Sequence, residues 1–253
     1  MMRMTGNGSA WPQWSSWHLS VAVDVVVVVG LMVLLGLWPR ISSRQRILLT
    51  AGFVATVLLL SSDVQALSMS SYPSHMVEHI VVVLLVAPLF AGATTVRLSR
   101  PMVTVGFFAF TFLVPLFHLT PLGGWVMKYP DGHFIELVSF LLVGVWFWMP
   151  VYGEHRALGD QQRITYTVLA LPVIATTGLV LWSSTNSSLH DVGMSMSNIS
   201  IGDVRDGGIV MMVFGTVLML THVVVLCVRA AARQRAIREP VGLKYALRAP
   251  RAS

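Results

Sequence analysis

The sequence predicts an all-α protein, a polytopic transmembrane bundle of seven helices with its amino terminus outside and its carboxyl terminus cytoplasmic. Three observations lead there. Of 253 residues, 55% are hydrophobic and 11% charged, and the mean hydropathy is +0.73, so a bilayer suits this chain better than water. Apolar runs of about 18 to 21 residues recur, each about long enough to cross ~30 Å of hydrocarbon as a helix. The runs are too long and too continuously apolar for the alternating strands of a barrel, and backbone groups in lipid must be satisfied within the segment.

In order, the runs cover 19–38, 47–67, 75–93, 101–118, 133–152, 164–182 and 208–228. The first has Arg3 as its only upstream basic residue and ends in Trp38, Pro39 and Arg40 without a small-residue cleavage pattern, so it reads as a helix and not as a secretory signal. The third opens on "PSHMVEH", where Ser74 is the predicted N-cap. Connections are short and no linker marks a second domain. The chain therefore divides into an extracytoplasmic segment 1–18, a membrane domain 19–228 and a basic tail 229–253.

Orientation follows from the basic residues. Fourteen of the seventeen Lys and Arg fall on one side when alternate loops are counted, leaving Arg3, Lys128 and Arg205 on the other. The positive-inside rule then puts the basic tail in the cytoplasm. The formal charge of +6 is thus a matter of topology and of contact with anionic membrane lipid, and no nucleic-acid patch is present. The single cysteine, Cys227, excludes a disulfide or a Cys-pair metal site within one chain.

The histidines are distributed unevenly. With this orientation His18, His75, His79, His118, His133 and His190 lie at the outer face, whereas His155 and His222 lie inward and read as structural, His222 as an interhelical hydrogen bond. Acids follow the same bias: Asp24 and Asp63 lie near the outer ends of their spans, and Glu78 and Glu136 follow His75 and His133 by three residues. Residues three or four apart share a helix face, so His75, His79 and Glu78 project together and His133 stacks with Glu136.

An ionisable group within a span costs at least ~2.5–3.5 kcal/mol at its centre, so something should offset it. A metal held by neutral imidazoles, with carboxylates orienting their second nitrogens, would do so. Met76, and His190 with Met194 and Met196 in "HDVGMSMSN", add thioethers, and that mixture leans toward copper as Cu(I). The candidate ligands are His75, His79, His133, Glu78, Glu136, Met76, His18, His118, His190, Met194 and Met196. Plainer alternatives stay open: His18 and His118 read equally as interfacial residues, Asp24 and Asp63 equally as helix glue, and Met194 and Met196 as loop filler.

"HMVEHIVVVLLVAPLFAGA", "FHLTPLGGWVM", "GHFIELVSFLLVGVWFWMPV" and "DVRDGGIVMM" resemble, in this order, the CtaG-type cytochrome c oxidase assembly proteins of bacterial membranes. The likeness covers about 17–228. It implies a seven-span protein of the bacterial cytoplasmic membrane that is required to make caa-type oxidase, acts in copper handling and has oxidase subunits as partners. His75, Met76 and His79 match that family's H-M-x-x-H, and His133 and Glu136 match the start of its H-x-x-E-H, where Leu137 replaces the second histidine. Asp203, Gly207, Gly208 and Met211 fit its last motif, while Val204 and Met212 depart from it.

Four functions compete: a non-enzymatic copper-binding assembly factor, a copper transporter using His222, Met212 and Met219, a haem-binding electron carrier ligated by residues such as His79 and His133, and an enzyme. The last rests on H-M-V-E-H being formally H-x-x-E-H, two zinc ligands and a catalytic Glu, with Glu136 as a further ligand. Homo-oligomerisation is left open by the sequence.

Overall fold

The computed structural model describes residues 24, 27–32, 35–126, 132–155, 157–184 and 200–246, with side chains placed up to residue 236. Everything ordered among them is helical. Helices α1 (Ser43–Leu59) and α2 (Ser62–Ser68) are followed by α3 (Tyr72–Ala93), α4 (Arg100–Leu119), the short α5 (Pro121–Val126), α6 (Gly132–Tyr152), α7 (Asp160–Ser183) and α8, which starts at Ile201 and continues to Ala246. Residues 27–32 and 35–37 are helical and run into a 3-10 turn, Trp38–Arg40.

Five helices, α3, α4, α6, α7 and α8, are long and apolar enough to cross a membrane. Two of the seven predicted spans are not single long helices among the described residues. The expected span over 47–67 is a bent pair, with α1 and α2 meeting at 65°, so six spans result if the pair crosses as one. The predicted first span, 19–38, lies largely outside the described residues, as does segment 1–18. The bend has a local cause. Ser61, Ser62 and Asp63 favour caps over helix interiors, and the Ser61 hydroxyl bonds back to the Leu58 carbonyl at 2.6 Å. The Gln65 amide then satisfies the Leu59 carbonyl at 2.7 Å, holding the corner. At the far end, residues 229–246, expected as a separate tail, continue α8 as helix.

Helix α3 is the axis of the bundle and the most enclosed of the spans. Its N-cap is Ser71, whose hydroxyl accepts from the Ser74 amide at 3.3 Å; Pro73 falls in the first turn, where its missing N–H costs nothing, so the cap lies three residues before the predicted Ser74. Midway, residues Val82–Val86 widen into a π-turn. Pro88 explains it: proline has no amide to offer the preceding turn and its ring crowds the carbonyl four residues back. The carbonyls left over are taken by other helices, Val83 by the Trp148 indole at 2.8 Å and Leu84 by His222 Nε2 at 2.8 Å. His222 Nδ1 then accepts from the Tyr152 hydroxyl at 2.6 Å, so His222 is the interhelical bond its sequence position suggests.

Small residues let α8 press against its neighbours, the usual basis of helix association in lipid. A Cβ on Gly208 would stand 2.5 Å from the Trp182 amide of α7, and one on Gly207 would stand 2.3 Å from the Tyr72 ring of α3. Large apolar side chains such as Phe108, Phe112, Phe214, Val224 and Val228 are exposed, as lipid-facing positions require. At the end away from α2, Asp160 pairs with both Arg163 and Arg233, and Gln45 bonds Glu154 at 2.8 Å.

Candidate metal centre

The start of α3, the start of α6 and the end of α4 bring six polar side chains together. His75, Glu78 and His79 come from α3, His133 and Glu136 from α6, and His118 from the last turn of α4. His75 is 1% exposed, Glu78 and Glu136 3%, His79 5% and His133 6%, so the cluster is enclosed by protein. Two ligand groups form within it: His75, His79 and Glu136, and His75, Glu78 and His133, the donor atoms of each lying within 4.8 Å of one another.

The first group is a compact triangle. His75 Nε2 and His79 Nε2 are 2.7 Å apart, and Glu136 Oε2 and Oε1 lie 3.5 Å and 3.7 Å from them. Ligand atoms around a tetrahedral ion at ~2.0–2.1 Å stand roughly 3.3 Å apart, so the triangle needs only a small adjustment to close on one. In the second group His133 Nε2 is 3.0 Å from Glu78 Oε2.

The carboxylates differ in part from the sequence expectation. Glu78 stands with His75 of its own helix, as expected, and also meets His133, whereas Glu136, expected beside His133, faces His75 and His79. Shared helical spacing puts residues on one face, but the contacts are made across the interface between α3 and α6.

Glu78 is further held by two residues that the sequence reading missed. The Gln65 amide donates to Oε1 at 2.7 Å, and the Ser68 hydroxyl donates to Oε2. Both are buried on α2, three residues apart on one face, and that polar pairing within an apolar span was the signal available. The bend between α1 and α2 is what lays α2 over the cluster. Asp63, in contrast, is exposed on α2, and Asp24 is exposed too, so neither enters the cluster.

His118 closes the group from the side. Its Nδ1 donates to the Val114 carbonyl at 2.7 Å, which leaves Nε2 bearing the lone pair, buried and without a partner. Its ring is 5.4 Å from that of His79. Met76, 1% exposed, packs toward Gly207 and lines a cavity of about 30 Å³ with His79, His118 and Met211. His18, His190, Met194 and Met196 lie outside the described residues.

Whether these residues suit an ion can be asked of the orphaned atoms. His118 Nε2, His133 Nε2 and Glu136 Oε2 are buried with no hydrogen-bond partner, as are His75 Nδ1 and His79 Nδ1, the ring nitrogens that lie outside the triangle. Buried polar atoms are nearly always satisfied, and His133 Nε2 and Glu136 Oε2, which belong to the two ligand groups, fit donors for a metal.

A family model described as cytochrome c oxidase caa3 assembly factor matches residues 93–233. That stretch runs from the last residue of α3 into α8 and includes His118, His133 and Glu136, whereas His75, Glu78 and His79 precede it. Comparison with curated proteins and with solved structures returned no match. The matched stretch is more than half of the chain and its helices are those of a multi-pass membrane protein: the chain belongs to the cytochrome c oxidase caa3 assembly factor family.

Proposed function

We propose that this protein binds copper at the outer face of the membrane and supplies it to the copper centres of cytochrome c oxidase, as a carrier and not as a catalyst. Family membership assigns it to oxidase assembly and implies association with the oxidase. The observation that carries the finer reading is the convergence of four histidines and two glutamates, from three helices, at one end of the bundle. The outer placement of that end follows from the positive-inside rule.

The competing readings fit the geometry less well. Inward transport needs stations below the cluster, but both nitrogens of His222 are committed to Leu84 and Tyr152. A haem between His79 and His133 would need open space, whereas the His75 ring packs 4.2 Å from His79 and 5.0 Å from His133. The triangle of His75, His79 and Glu136 has the donors of a hydrolytic zinc centre, yet all three are buried, and the cavity of about 30 Å³ that His79 borders is lined otherwise by apolar side chains and His118.

The test is metal analysis with a visible absorption spectrum of the detergent-purified protein and of its His75→Ala/His79→Ala variant. Copper in the native protein, lost from the variant without haem bands, is expected. Equal copper in both would remove the assigned site, and a haem spectrum would replace the reading with the electron carrier.

A further inference from the structure

We infer that the centre takes a divalent ion in preference to a monovalent one, a statement about the oxidation state of its cargo that rests on the metal-binding reading above. The argument begins with charge. Glu78 and Glu136 are both buried, and among the described residues no Lys or Arg pairs with either. Their polar neighbours are imidazoles, an amide and a hydroxyl. Two carboxylates enclosed in a membrane protein make a site of charge −2 when the imidazoles are neutral, which is the form that ligates. A divalent ion brings that charge to zero, whereas a monovalent ion leaves one negative charge buried and uncompensated, which is costly in a low-dielectric interior.

Donor chemistry points the same way. Two imidazoles and one carboxylate on a triangle of 2.7, 3.5 and 3.7 Å are the ligand types of divalent zinc and of other borderline cations. Soft monovalent copper favours thioether and thiolate. The thioethers of this region, Met76 and Met211, line the small cavity that His79 and His118 also border, so of the triangle's three ligands only His79 shares that cavity with them. Gln65 and Ser68 add to the argument, since their donated hydrogen bonds hold Glu78 as an acceptor, its Oε2 also 3.0 Å from His133 Nε2.

The experiment uses the full chain in detergent micelles, stripped of metal and offered Zn²⁺ and Ag⁺ together. Both ions are redox-silent, so the comparison isolates charge and softness. Retention of zinc at one ion per chain, with silver at a small fraction of that, is the expected result. Glu136→Gln keeps the shape but removes one charge, and Glu136 Oε2 has no hydrogen bond to lose. Because Glu136 is itself a donor, the change should weaken Zn²⁺ binding by at least the ~10-fold that loss of a residue orienting a ligand costs, and change Ag⁺ binding only a few-fold. A native preference for Ag⁺, or equal weakening of both ions by Glu136→Gln, overturns the inference while leaving metal binding standing. Retention of neither ion overturns the metal-binding reading itself. If Glu136→Gln does not fold, the competition on the native protein decides alone.

Discussion

Replacing His222 with leucine tests the account of the π-turn in α3, because it removes two hydrogen bonds without leaving a large cavity. The Leu84 carbonyl loses its 2.8 Å partner, and the Tyr152 hydroxyl loses the nitrogen it reaches at 2.6 Å. Pro88 has no amide, so α3 cannot supply a replacement for the carbonyl. A buried group left unsatisfied costs ~1–3 kcal/mol, but interhelical hydrogen bonds in membranes average ~0.6 and reach ~1.7 kcal/mol. Two such bonds put the expected loss at roughly 1–3 kcal/mol. Reversible unfolding of the metal-free protein in mixed detergent micelles, followed by tryptophan fluorescence, measures it. Adding Pro88→Ala restores a backbone amide and should recover part of the loss. An undiminished stability in His222→Leu, or no recovery on adding Pro88→Ala, would refute the assignment of the orphan carbonyl to His222.

Two further outcomes follow from the site and its framework. Gln65→Leu with Ser68→Ala frees Glu78 from α2, and ion affinity should fall ~10- to 100-fold with the stoichiometry kept; unchanged affinity by chelator competition would show that α2 merely covers the cluster. Gly207→Ala places a methyl group 2.3 Å from the Tyr72 ring, so α8 must move away from α3, at ~1–3 kcal/mol for overpacking, measurable in the same unfolding experiment.

The membrane helices were legible because hydropathy is a local property. The five spans of the structure each overlap a predicted run, and their ends move by only a few residues except in α8, which begins at Ile201 instead of 208. What misled at 47–67 was composition: the run is apolar enough in total, but Ser61, Ser62 and Asp63 in the middle of it break the helix. A window average does not see a corner. His222 was legible as structural from its depth, while its partner carbonyl could not be named, since that depends on where Pro88 falls against α8.

By itself, then, the sequence determined the all-helical membrane class, the positions of most spans and the fact that His75, Glu78 and His79 share one face of a helix. These follow from residue-by-residue hydrophobicity and from the 3.6-residue turn. Tertiary structure alone decided which carboxylate meets which imidazole, that His118 joins from α4, and that Gln65 and Ser68 hold Glu78 from a bent helix. Those contacts depend on the rotation and crossing of helices packed side by side. Rotation is set by the small residues and orphan carbonyls along the whole interface, and no local pattern at the histidines encodes it.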